Sequence, residues 1–131
     1  MTTGVRRTLL GGVSALSRRL APSRTKTRIG RVVGAVLCRL GADPVVMVET
    51  TDGVFLVDAR SRTECEMLWS GVYDPDDIAF LRAVTPAHGI FLDVGANVGL
   101  IFIPVWRAMS TGRAIAVEPV PVAFGRLVSA C

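Results

Sequence analysis

Metal and thiol chemistry find little to work with in this sequence. It holds one histidine, His88, and three cysteines, Cys38, Cys65 and Cys131. The cysteine number is odd and no metal-ligand spacing occurs, which argues against a zinc site. Reduced thiols in a cytosolic setting are the plain reading. The acids of Asp74-Pro75-Asp76-Asp77 do not supply a metal site either, because all three sit where a helix start wants them. Long apolar runs are also missing. Arginines interrupt both N-terminal apolar segments well short of the roughly 20 residues that span a bilayer. A secretory signal fits poorly, since the apolar stretch from Leu9 to Leu16 runs straight into Ser17-Arg18-Arg19.

Acids are absent from the first 42 residues, which hold nine Lys/Arg. The remainder holds six Lys/Arg against eleven Asp/Glu, a net of −5 within a whole-chain net of +4. The basic pI therefore belongs to the N-terminal arm, and the acidic body offers nucleic acid no basic patch. Half the residues are hydrophobic, so the chain is built to fold. Its 131 residues suit one modest domain.

Within the arm, Val5, Leu9, Val13, Leu16 and Leu20 fall on one helical stripe, with Arg7 and Arg18 opposite and Arg6 and Arg19 on the flanks. Gly11-Gly12 weakens this helix and Pro22 closes it. Ser23 to Thr27 reads as a linker. A second stripe of Ile29, Val32, Val33, Val36, Leu37 and Leu40 follows, with Arg28, Arg31 and Arg39 off it and Gly41 at its end. One reading packs both helices on the body with arginines in solvent. The other is peripheral contact with an anionic membrane or a partner.

Val45–Glu49 and Val54–Asp58, joined through an Asp52-Gly53 turn, make a hairpin. Glu64–Trp69 reads as a short helix and Gly71-Val72-Tyr73 as a connector. Asp74 caps a helix that opens on Pro75, carries Ile78, Phe80, Leu81 and Val84, and stops before Pro86. His88 lies in a Pro86–Gly89 turn with no cysteine or acid at catalytic spacing, as a loop residue rather than a base.

The most informative stretch is Ile90-Phe91-Leu92-Asp93-Val94-Gly95-Ala96-Asn97-Val98-Gly99. Its apolar start predicts a buried parallel strand, and its two glycines a sharp turn into a helix from about Val98 through Met109. The first N–H groups of that helix would point at whatever sits above the strand end. Such a pocket suits a nucleotide-type ligand. The dinucleotide fingerprint is incomplete, because Leu100 stands where its third glycine belongs. A carboxylate two residues before the first glycine suits a cation, such as an amino acid's ammonium, better than a pyrophosphate. Ala114–Val117 reads as a second strand ending at Glu118, which lies 25 positions after Asp93, near the spacing of a ribose-binding acid. Pro104 would sit beyond the first turn of the intervening helix, at a cost of about 3 kcal/mol or a kink. Phe102 and Trp106 are expected in the core.

The run Asp93-Val94-Gly95-Ala96-Asn97-Val98-Gly99, with Glu118-Pro119-Val120-Pro121 followed by Phe124 and Leu127, resembles the FkbM family of S-adenosylmethionine-dependent methyltransferases. The resemblance covers roughly residues 45 to 131. It implies an α/β fold, the N-terminal portion of a Rossmann-like methyltransferase sheet preceded by a β-hairpin; the two basic amphipathic helices ahead of these come from the apolar periodicity of the arm. The divisions are 1–42 for the arm, 43–89 for the hairpin and helical lead-in, and 90–131 for the start of the methyltransferase domain. It also implies methylation of a hydroxyl on a sugar or secondary metabolite. By position, Asp93, Gly95, Ala96, Asn97 and Gly99 would border the methionine part of the cofactor and Glu118 would hold the ribose. Tyr73 could line the acceptor pocket, and no residue stands out as a base. Pro104 and Ala130 depart from the family pattern.

Two parallel strands are fewer than an open methyltransferase sheet needs, and the family's later acidic segment has no counterpart. The expectation is a truncated copy with half a cofactor site, little activity alone, and one sheet face and edge uncovered. A cytosolic cofactor pool favours a cytoplasmic location, with peripheral membrane contact through the arm, over the twin-arginine signal hinted at by Arg6-Arg7 and over the transit peptide that an Arg-rich, acid-free arm suggests. The competing readings are a non-catalytic remnant held to a membrane or partner by its basic arm, a nicotinamide-dependent enzyme, and a glycine turn that is only a tight connection.

Overall fold

Ser23 starts the best-defined helix of the N-terminal half: its hydroxyl accepts from Lys26 N at 3.1 Å. The computed structural model describes residues 9–21 and 23–131. The sequence readings at Val5, Arg6, Arg7 and Pro22 lie outside the described residues. Among the described residues the chain is a mixed α/β protein of six helices and two two-stranded sheets. No helix among them is long and apolar enough to cross a membrane. The chain divides into two compact units, one built from the described part of Met1–Val48 with Val57–Gly71, the other from Glu49–Leu56 with Val72–Cys131.

The first unit packs three helices, α1 (Leu9–Arg18), α2 (Arg24–Arg39) and α3 (Glu64–Ser70), on one another. The expected linker from Ser23 to Thr27 is instead the cap and first turn of α2, because the Ser23 side chain satisfies an otherwise orphaned N–H. At its far end Gly41 N bonds Cys38 O at 3.1 Å and Ala42 N bonds Leu37 O at 3.0 Å, the paired bonds of a Schellman motif.

Which faces are buried reverses the expectation for the arm. Val13 and Leu16 on α1, Leu20 just past it, Ile29, Val32 and Val36 on α2 and Leu40 at its C-cap are all exposed. Other faces do the packing. Leu10 and Ser14 of α1 are buried. Arg18, expected in solvent, turns inward and donates to Leu68 O at 2.9 Å, while Ser17 Oγ donates to Trp69 O at 3.1 Å. Both bonds satisfy carbonyls at the end of α3. On α2, Gly30 and Gly34 lie against the fully buried Trp69, and a Cβ at Gly30 would overlap the indole ring. The physical reason is bulk: only a glycine face lets a helix approach a tryptophan this closely. Trp69 Nε1 is buried with no partner, a cost of about 1–3 kcal/mol that the indole's packing must exceed.

The hairpin follows its period-two pattern. In β1 (Val45–Thr50) Val46 and Val48 are buried, and in β2 (Gly53–Asp58) Phe55 and Val57 are buried. Its base belongs to the first unit and its tip to the second. Glu64, a buried carboxylate, holds the end of β2 by accepting from Asp58 N at 2.7 Å.

The second unit contains α4 (Pro75–Val84), β3 (Ile90–Val94), α5 (Phe102–Ala108), β4 (Arg113–Val117) and α6 (Pro121–Ala130). Asp74 occupies the cap position of α4 but is left-handed, with φ 37°, and makes no side-chain cap bond. Proline at the first position starts the helix without it. One face of the parallel pair β3–β4 is covered, with Phe91 stacked on Phe102 at 6.2 Å. On the other face Ile90, Leu92 and Val94 are 71%, 57% and 73% exposed, and Ile115 and Val117 are exposed as well. The fully buried strand expected from its composition is therefore covered on one face only among the described residues.

Candidate functional site

β3 and β4 run in register, Asp93 beside Ala116 and Val94 beside Val117, so their carboxyl ends finish at one level. The loop after β3 is fastened at once to the end of β4. Val117 O accepts from Gly95 N at 2.8 Å and from Ala96 N at 3.1 Å. Glu118 then clasps both loops: its Oε2 accepts from Asn97 N and its Oε1 from Val120 N, each at 2.8 Å. The structure thus brings Glu118 onto the glycine loop, 21 positions from Asn97 in sequence. That latch was not foreseen; the only sequence signal was the acid at the end of the second strand.

The chain coils tightly because left-handed residues alternate, Gly95 at φ 88°, Asn97 at φ 50° and Gly99 at φ 88°. Asparagine is among the few side chains that enter this region at modest cost. The two glycines answer different needs. A Cβ at Gly95 would meet nothing within 4 Å, so a ligand can approach the backbone there. A Cβ at Gly99 would lie 2.6 Å from Leu127 Cδ1 and 2.8 Å from Ile103 Cδ1, so its bareness lets α5 and α6 close on the loop. Of residues 95–100 only Gly95 is exposed and Asn97 is half-buried. Ala96 and Gly99 are buried and can offer a ligand backbone atoms alone.

The helix after the loop begins later than the sequence suggested. α5 starts at Phe102, not near Val98, and ends at Ala108. Its onset is delayed because Gly99 N bonds Ala96 O at 2.8 Å, closing a turn of its own before the helix. Pro104 consequently falls in the first turn of α5, the part of a helix that tolerates proline best, rather than beyond it as expected. Of the N–H groups around the strand end, those of 95, 96, 97 and 99 are already bonded within the loop or to β4 and Glu118. Phe102 is buried as expected, but Trp106 is 36% exposed and stacks on Phe102 at a centroid distance of 6.2 Å.

Asp93 is the chemically distinctive group. Strand alternation puts it on the face of Phe91, half-buried at the end of β3. Burial pushes its carboxyl above the ordinary value. No hydrogen bond or ion pair reaches it among the described residues. A desolvated carboxylate without a partner is a binding-site signature with a physical cause: a cation would relieve it. His88 is an exposed turn residue whose Nδ1 meets Thr111 Oγ1, which ties together the amino ends of the two strands, away from Asp93 along β3. No trio of metal-ligating side chains gathers among the described residues, and the three cysteines are free thiols.

Comparison with family models, with curated proteins and with solved structures finds no match to this chain.

Proposed function

We propose that this strand–loop–strand is the cofactor-binding part of an S-adenosylmethionine-dependent methyltransferase of the FkbM type, acting on a hydroxyl of a sugar or secondary metabolite. The observation that carries the reading is Asp93, half-buried and unpartnered at the strand end, two residues from a glycine with open space above it. An α-ammonium placed there would return to the carboxylate the favourable charge environment that burial removed. Gly95 would let the amino-acid portion lie against the backbone. Glu118 already accepts two N–H bonds, one on each oxygen, and a carboxylate oxygen has capacity for a second bond, here a ribose hydroxyl. The Rossmann-like sheet belongs to the same proposal; the parallel, in-register pair β3–β4 supports it.

When bound, S-adenosylmethionine would supply an electrophilic methyl group to the acceptor oxygen. The chain's own residues would orient and desolvate rather than exchange protons. The residues fit the charged end of the cofactor; the adenine side has no assigned partner in this chain.

Thermal-shift titration of the full chain with S-adenosylmethionine, and separately with NAD, tests the reading. The expected result is a saturable rise in melting temperature with S-adenosylmethionine alone, weakened about tenfold or more in Asp93→Asn, the scale of one lost charge pair. A response to NAD alone, or equal binding by Asp93→Asn, would overturn it.

A further inference from the structure

The first unit encloses a cleft of about 630 Å³ that the cofactor reading leaves unused. Five arginines line it, Arg28, Arg31 and Arg39 from α2 and Arg60 and Arg62 from the segment between β2 and α3. The rest of the lining is apolar or small: Val32, Ala35 and Val36 from α2, with Ala59 and Cys65. Among the described residues only one of these arginines has a carboxylate partner. Arg60 Nη2 reaches Asp58 Oδ2 at 2.6 Å and Arg60 Nε donates to Asp58 Oδ1 at 2.9 Å. The other ion pair of the described residues, Arg82 with Asp52, lies in the second unit. Glu64, the next acid along the chain, is buried and already accepts from Asp58 N. Like charges gathered around one cleft repel each other until an anion enters.

The same helix adds a second, independent feature. Ile29, Val32, Val36 and Leu40 recur at helical spacing and are 60%, 65%, 49% and 78% exposed. Val32 and Val36 belong both to this stripe and to the cleft wall. A soluble phosphate would satisfy the arginines and leave the stripe in water. A bilayer surface satisfies both, because cations meet headgroup phosphates while the apolar residues enter the acyl boundary.

We propose that this face of the first unit docks on membranes containing anionic phospholipid, with a lipid phosphate seated among the five arginines and the α2 stripe in the acyl boundary. The inference uses none of the residues assigned to the cofactor, so either can fail alone.

The test is co-sedimentation of the full chain with phosphatidylcholine vesicles, with and without phosphatidylglycerol. Binding is expected only with phosphatidylglycerol and should weaken as salt rises. Arg31 and Arg62 are exposed, so Arg31→Gln with Arg62→Gln should leave the fold intact and weaken binding about 25-fold, roughly fivefold for each arginine. Leu40→Ser should weaken vesicle binding with every arginine in place. Three results would overturn the proposal. They are equal binding to neutral vesicles, no effect of the double arginine variant in a protein of unchanged circular dichroism, and inorganic phosphate binding in the cleft by a chain that ignores vesicles.

Discussion

The two units solve the same problem, how to bring elements close, in opposite chemical settings. The first carries eleven Lys/Arg against four Asp/Glu, a net of +7; the second carries four against seven, a net of −3. In the first, glycine faces of α2 meet a tryptophan while Val13, Leu16, Ile29, Val32 and Val36 of the arm helices stay in water. In the second, glycines sit in a loop whose left-handed turns let two strands and two helices converge. A helix can rotate about its axis to present either face, whereas a left-handed loop has no alternative conformation. The second unit should therefore tolerate a glycine substitution less well.

The sharpest way to break that comparison is Gly99→Val. It adds left-handed strain to a clash with Leu127 and Ile103, and a loss of about 3 kcal/mol in urea unfolding is expected. Gly30→Ala should cost less, about 1–2 kcal/mol, because better helix propensity offsets part of the overlap with Trp69. Trp69 fluorescence would report the displacement. Equal costs at the two glycines would remove the distinction between the units.

Glu118→Ala tests the latch. It leaves Asn97 N and Val120 N without their acceptor, and about 1–2 kcal/mol of stability should go with it. Hydrogen exchange at Asn97 should speed up in the same variant. Asp93→Asn should act through pH. The raised carboxyl pKa means that the folded chain holds its proton longer than the unfolded chain does. That group's contribution therefore falls as pH rises from the ordinary carboxylate range through the raised value. The asparagine variant should flatten this slope and gain slightly at neutral pH, by less than about 1 kcal/mol, since half the carboxyl remains in screening solvent. The smallest effect is expected from Asp52→Asn, which loosens a part-exposed pair with Arg82 at 2.5 Å and should cost under about 1 kcal/mol.

The sequence was most readable where local chemistry decides conformation. The hairpin, the Pro75 start of α4, the Gly41 end of α2 and the strands around Asp93 and Glu118 follow from turn residues, caps and β-branched runs. It was least readable where packing chooses between faces. Apolar periodicity marked a stripe on each arm helix, yet tertiary contact selected the glycine and serine faces, and Arg18 went inward to close α3. The late start of α5 had the same kind of origin, a turn closed by Gly99 and Ala96 that no propensity announces. At the candidate site, residue types marked the acids near the ends of both strands, but not that Glu118 would spend its first bonds on the backbone. Arg60 and Arg62 escaped notice because their partners on α2 lie more than twenty residues away in sequence.

The most direct test of the cofactor reading is the titration of the Asp93 carboxyl itself, followed by carbon NMR with and without S-adenosylmethionine. A cation seated beside that group should bring its raised pKa back down on binding. An Asp93 pKa that stays raised in the ligand-saturated protein would contradict the account.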